Sequence, residues 1–223
     1  MLFLRKLHKW LGLIIGLQLI LWAASGVMFA WLDRDDVGGA NRLRTVEPAV
    51  LLPAIVKTEP AAWIGDYAPQ DLYDVRAVSL ADRWAWRVEL RDAVELRAVE
   101  DGSRVNLDEG WLRRIALGRY AGGGQLVAMT LQTQPDIASR AKSPVWQATF
   151  DDPQRTALYF AADDGHFIAA RTASWRWYDF FWMLHTMDYR GRDNFNNPLI
   201  VTIGMAALWL SISGVLLLTR SFR

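Results

Sequence analysis

Histidine and the absence of cysteine set the limits of the chemistry open to this chain. There are three histidines, His8, His166 and His185, and no cysteine. Without thiols there can be no disulfide, thiolate metal site, iron–sulfur cluster or C-x-x-C-H attachment of a c-type haem. A non-covalent haem b needs only histidine, with axial imidazoles on opposite faces of its iron. His8 and His185 are the candidate cofactor-binding and metal-ligating residues, with haem iron as the metal. His8 stands just before a long apolar run, and His185 sits in the aromatic-rich segment Trp175–Tyr189 that leads to a second one. His166 follows the Asp164-Gly165 turn and is expected to face water.

Plainer roles compete for each residue. His8, between Lys6 and Lys9, could reach lipid phosphates. His185 could bond Asp188 or a backbone carbonyl, and the aromatic run at 175–182 reads as an interfacial anchor helix. No catalytic residue is expected. There is no Gly-x-Ser-x-Gly elbow, no His-Glu-x-x-His and no cysteine nucleophile, so hydrolase motifs are missing. Gly122-Gly123-Gly124 is not followed by a lysine and a helix, which rules out a nucleotide phosphate loop. Asp33-Arg34-Asp35-Asp36 has the composition of a cation site but reads as solvated linker. A formal net charge of +1 gives no reason to expect a nucleic-acid partner.

The elements that must position the histidines are the two ends. Residues 10–32 and 198–219 carry no charged side chain, whereas every acid lies between Asp33 and Asp193. At ~1.5 Å per residue a helix over 10–32 covers about 35 Å, enough for a bilayer core of about 30 Å. Trp10 and Trp31 fall at interface depth. Arg5, Lys6 and Lys9 precede the first run and Arg220 and Arg223 follow the second, so the positive-inside rule puts both termini in the cytoplasm. A cleaved signal peptide is the alternative, but its apolar region usually spans only about 7–15 residues. The expected localisation is a bacterial inner membrane, with two spans and the middle exported to the periplasm. The divisions are 1–32 (tip and first span), 33–172 (periplasmic domain), 173–196 (interfacial aromatic helix and connector), 197–219 (second span) and 220–223 (tail).

Gly12, Gly16, Ala23 and Gly26 put a small-residue face on the first helix, which lets helices approach closely in lipid, within one chain or between chains. The adjoining stripe is His8, Leu11, Ile15, Gln18, Trp22, Ser25 and Phe29; Trp209, Ser211, Ser213 and Gly214 repeat its chemistry in the second helix. His8 and His185 would lie near opposite membrane faces, roughly 30 Å apart, so one haem cannot use both. A two-fold homodimer would place each histidine beside its mate and give an inner and an outer haem.

The middle reads as an α+β domain of two tandem α-β-β-β units, about 48–104 and 108–172. A helical candidate over 48–63 precedes strands at Tyr73–Leu80, Arg83–Leu90 and Ala93–Val99. In the second of these, Trp84, Trp86, Val88 and Leu90 form one face and Arg83, Arg87, Glu89 and Arg91 the other. A helix over 108–121 then precedes strands at Leu126–Gln132, Val145–Phe150 and Arg155–Ala161. Asp101-Gly102 and Asp164-Gly165 are matching turn signals. The Trp146-to-Gly165 interval exceeds the Trp86-to-Gly102 interval by three residues, which a longer turn around Asp152-Pro153-Gln154 would absorb.

The chain resembles membrane-anchored PepSY-domain proteins in three places. These are Leu4-Arg5-Lys6-Leu7-His8-Lys9-Trp10-Leu11-Gly12, the two strand–Asp-Gly–strand hairpins, and Trp182–Tyr189 followed by Asn194-Phe195-Asn196-Asn197-Pro198. The family's D-x-x-T-G turn appears here without its threonine. The resemblance implies kinship with ferric-siderophore-reductase-type iron-uptake proteins and an electron-transfer subunit carrying haem b. Its partners would be the lipid bilayer, a second copy or larger membrane complex, and a ferric-siderophore or periplasmic protein. It equally implies a non-catalytic interaction or peptidase-regulating module, or an accessory subunit of a membrane complex.

Overall fold

In the computed structural model, residues 2–45, 50–51, 53–80 and 83–221 are described. The chain divides into two compact units, one of residues 1–34 with 174–223 and one of residues 35–173.

The first unit is helical. Helix α1 runs Leu2–Trp31, and a short helix α2, Arg34–Gly38, follows it in sequence. Within α1, Lys6–Trp31 (26 residues), and within the last helix, Pro198–Thr219 (22 residues), are long and apolar enough to cross a membrane. Leu13, Ile14, Leu17, Ile20 and Val27 of the first stretch are largely exposed, and Val201, Met205, Leu208, Ile212 and Val215 of the second likewise.

The second unit holds two four-stranded antiparallel meanders. The first comprises β1 Leu72–Leu80, β2 Arg83–Leu90, β3 Val94–Ala98 and β4 Arg104–Val105; the second β5 Leu126–Gln132, β6 Val145–Phe150, β7 Ala157–Ala161 and β8 Phe167–Arg171. Helix α3, Glu109–Arg119, separates them in sequence, and helices α4 (Ala173–Thr186) and α5 (Pro198–Ser221) close the chain. Asp108 caps α3 by accepting from the Trp111 N–H at 2.7 Å.

The two meanders match in detail. Each has a bulge near the start of its first strand, at Leu72/Asp74 and Leu126/Ala128. Each closes its third hairpin alike: Gly102 N–H donates to Ala98 O and Gly165 N–H to Ala161 O, both at 3.0 Å. Both glycines have positive φ, 74° and 68°, which glycine adopts without a Cβ clash. A Cβ at Gly102 would also fall 2.6 Å from Trp63 Cδ1. The three-residue difference lies in the β2–β3 and β6–β7 turns: Leu90 N–H bonds Ala93 O, whereas Phe150 N–H bonds Thr156 O. The longer turn contains Asp152-Pro153-Gln154, where the extra residues were expected.

Three expectations are corrected. Each repeat carries four strands rather than three, because the chain after each Asp-Gly turn pairs back onto the sheet. The helix expected over 48–63 is replaced, among the described residues, by 3₁₀ turns at Pro53–Ile55, Pro60–Ala62 and Ile64–Asp66; residues 46–49 and 52 lie outside the described residues. Pro53 and Pro60 lack the N–H groups an α-helix would use. Arg97, 7% exposed, secures this strap: it donates to Asp66 at 2.9 Å, Tyr67 Oη at 2.8 Å and Gly102 O at 3.0 Å. Finally, the strand expected over Arg155–Ala161 begins at Ala157, because Arg155 and Thr156 close the β6–β7 turn. On β2, the face that bears Arg87 also carries fully buried Ala85, which packs with Leu80, Leu96 and Trp111.

One helix serves both sheets. Trp111 and Ile115 of α3 pack on the first meander; Leu112 and Ala116 join Ala148, Phe150, Leu158 and Phe160 of the second. Tyr120, just past α3, stacks on Phe150 with ring centroids 3.7 Å apart. Its hydroxyl donates to Asp152 at 2.9 Å and accepts from Gly124 N–H at 3.0 Å. Tyr120→Phe leaves both groups without that partner and should destabilise the unit by about 1–3 kcal/mol, read as a lowered denaturation midpoint.

Candidate functional site

The stripe expected on α1 is the surface that meets the other helices of its unit. Ile15 and Ser25 are buried. Trp22 Nε1 donates to His185 O at 2.8 Å and Gln18 Nε2 to Leu184 O at 3.4 Å, satisfying carbonyls that the end of α4 leaves without helical partners. Phe29 packs edge-on to His185, with centroids 5.5 Å apart, and against Tyr178 and Trp182. The small-residue face behaves differently: a Cβ at Gly12 would meet Leu210 at 3.8 Å, but at Gly16 and Gly26 it would meet nothing within 4 Å.

Both candidate histidines bond a serine from another helix. His8 Nδ1 lies 2.8 Å from Ser213 Oγ, and His185 Nδ1 lies 2.7 Å from Ser25 Oγ. Each serine hydroxyl donates to a carbonyl three residues back in its own helix, Ser213 to Leu210 O at 3.0 Å and Ser25 to Trp22 O at 2.9 Å. A hydroxyl has one proton, so where it goes to the carbonyl each Oγ accepts from its imidazole, and a neutral ring then carries its lone pair on Nε2, the tautomer a metal ligand needs. Among the described residues, neither Nε2 has a hydrogen-bond partner. Gly214 lies close against His8: a Cβ there would sit 3.2 Å from its Cε1, so the ring would have to shift by a few tenths of an ångström.

The two histidines are not brought together. Ser25 marks the level of His185, and it stands about 25 Å along α1 from His8. Asp188 is not the partner of His185. Its carboxylate instead accepts four backbone N–H groups, from Arg190 and Gly191 on one oxygen and Asp193 and Asn194 on the other, at 3.0 to 3.3 Å. The bond from Asn194 leads the effects that hold its carboxyl below the usual range. The connector's left-handed residues, Met187 and Arg192, are thus braced by Asp188 and by the Arg192–Asp179 ion pair. Asn197 finishes the connector: its Oδ1 accepts from Leu199 and Ile200 N–H, both at 3.1 Å, and caps α5 before Pro198.

A second polar cluster, in residues 35–173, was not foreseen. His166 is exposed, as expected, but its Nδ1 lies 2.6 Å from Asp164 Oδ1, while Arg87 Nε donates to Asp164 Oδ2 at 2.7 Å. Asp164 is 3% exposed. Burial opposes its ionisation, yet the bonds from His166 and Arg87 outweigh it and hold the carboxyl far below the carboxylate range. Asp163, Asp164 and His166 are close enough to hold a metal ion, but a guanidinium and an imidazole already occupy both Asp164 oxygens. Its repeat counterpart, Asp101, is exposed and caps only its own turn, through Ser103 N–H. The turn signal marked both aspartates; nothing local marked Arg87 as the partner, because it stands 77 residues away.

The bond to Asp164 raises the His166 pKa, with burial opposing. Its stabilisation is therefore complete below the unfolded value of about 6.5 and is lost as pH rises through the raised folded value. Stability measured by thermal melts should decline across that window and should lose this slope in His166→Ala.

No family model, no curated protein and no solved structure matches this chain.

Proposed function

We propose that the chain is a two-span inner-membrane protein of PepSY type, and that His8 and His185 are axial haem b ligands in an electron-transfer subunit assisting periplasmic ferric-chelate reduction. The observation that carries this reading is the pair of matched serine–histidine bonds, which orient both imidazoles through Nδ1 and leave each Nε2 without a hydrogen-bond partner among the described residues. Two helices of spanning length with exposed apolar flanks support lipid as their solvent. Positive charge at Lys6 and Lys9 supports a cytoplasmic N-terminal side.

His8 and His185, at levels about 25 Å apart, would each hold a haem together with the same histidine of a second copy, and the open faces at Gly16 and Gly26 are where backbones could approach. When bound, haem would supply a one-electron carrier at each level. The residues' own work is to fix ring orientation through Ser25 and Ser213 and to pack aromatic rings around His185. In a two-fold dimer each haem is shared by identical histidines, so purified protein should carry about one haem per chain. His8→Ala or His185→Ala should each lower that to about half, with a weakened Soret band. Ser25→Ala and Ser213→Ala should loosen haem without abolishing it. Colourless protein from haem-replete cells would sink the proposal.

A second reading, a protein-binding module, is favoured by β5. It is an edge strand, and its Val127 and Leu131 are exposed, the arrangement that accepts an added strand. Haem-free protein would leave this reading in place.

The orientation has its own test. Because the chain has no cysteine, single-cysteine variants are clean reporters. An impermeant thiol reagent applied to intact spheroplasts should label Ser103→Cys and spare Lys9→Cys; the reverse pattern would invert the topology.

A further inference from the structure

The buried Arg87–Asp164 pair borders a cavity of about 640 Å³ that lies wholly within residues 35–173 and involves neither candidate haem ligand. That volume falls in the range of small-molecule sites. Its lining combines cationic and apolar side chains. Arg76, Arg87, Arg114, Arg119 and His166 contribute the first kind, and Asp164 is the one acid among its described lining residues. Val78, Leu80, Ile115, Phe160 and Phe167 contribute the second. Asp164 serves Arg87 and His166, Glu89 also accepts from Arg87, and Asp74 lies 3.8 Å from Arg76.

Arg119 is the most informative member. Its guanidinium lies 4.2 Å over the Phe167 ring, and its Nε is buried with no acceptor among the described residues. Burial lowers its pKa, the sign of a cation removed from water without a compensating anion. Beside it, Gly118 leaves the helix surface open: a Cβ there would meet nothing within 4 Å. The first meander's equivalent turn offers no counterpart, since Asp101 is exposed. A guanidinium with an unsatisfied buried nitrogen, set beside aliphatic and aromatic side chains, suits a ligand with a negative head and an apolar body.

We propose that this cavity binds a small organic anion, its acidic group held by Arg119 and its apolar portion lying against Phe160 and Phe167. The full chain, purified in a non-ionic detergent, can be titrated calorimetrically with 2-naphthoate and with neutral 2-naphthalenemethanol, using detergent alone as blank. Naphthoate should bind saturably, at least tenfold more tightly than the alcohol. Arg119→Gln should weaken naphthoate at least tenfold. Gly118→Leu retains every charge, suits a helix better than glycine and fills the opening, so it should abolish binding while melting at or above the parent temperature. This second variant decides the matter if Arg119→Gln fails to fold. Binding should persist in the His8→Ala/His185→Ala double variant, so its loss or retention is separable from the haem reading. No saturable binding, equal binding of acid and alcohol, or undiminished binding in Gly118→Leu would each overturn the proposal.

Discussion

A serine hydroxyl has one proton to give, and at Ser25 and Ser213 a carbonyl of the serine's own helix and a histidine of another helix both lie within reach of it. Each serine thereby ties an imidazole to a second helix, and the rest of the helical unit is arranged around these two ties. Trp22 and Gln18 hold the carbonyls beside His185, Phe29 packs against the ring, and Asp188 and Asn197 shape the connector that delivers α5. In the lipid proposed as the solvent of these helices, each of these groups would need a protein partner, because an unpaired polar group there costs several kcal/mol. The bonds between helices therefore specify which faces meet, and apolar area alone would not.

The second unit solves a different problem. Two similar meanders share one amphipathic helix, whose alternate rows pack on different sheets. The first meander compensates for the missing α-helix with a proline-rich strap fastened by Arg97. The second carries a longer β6–β7 turn organised by Asp152, which accepts from Tyr120 and Thr156. The repeats have thus kept their ladder geometry while their polar interiors diverged, most clearly at Asp101 and Asp164.

Much of the framework was legible in the sequence, for reasons that are local. The apolar ends announce themselves by length, and strands such as Leu126–Gln132 and Val145–Phe150 by composition between turn signals. The stripe from His8 to Phe29 followed from helical spacing alone. Partnerships across long separations were not legible: Ser213 stands 205 residues from His8, and Ser25 stands 160 residues from His185. Helix α3 covers Ala85 on the face of β2 that also bears Arg87, a burial that the alternation of charged residues along the strand does not reveal. The strap over 53–66 was misread because its apolar residues suggested a helix, although two prolines argued against it.

The sharing of α3 has a consequence for how residues 35–173 come apart. A meander exposes one apolar face when its covering helix leaves, and here the same helix covers both. Detaching it would strip Leu80 and Ala85 in one sheet and Leu158 and Phe160 in the other simultaneously. The duplicated halves are consequently not autonomous modules but a single cooperative block, in which neither copy could be excised as a miniature of the whole.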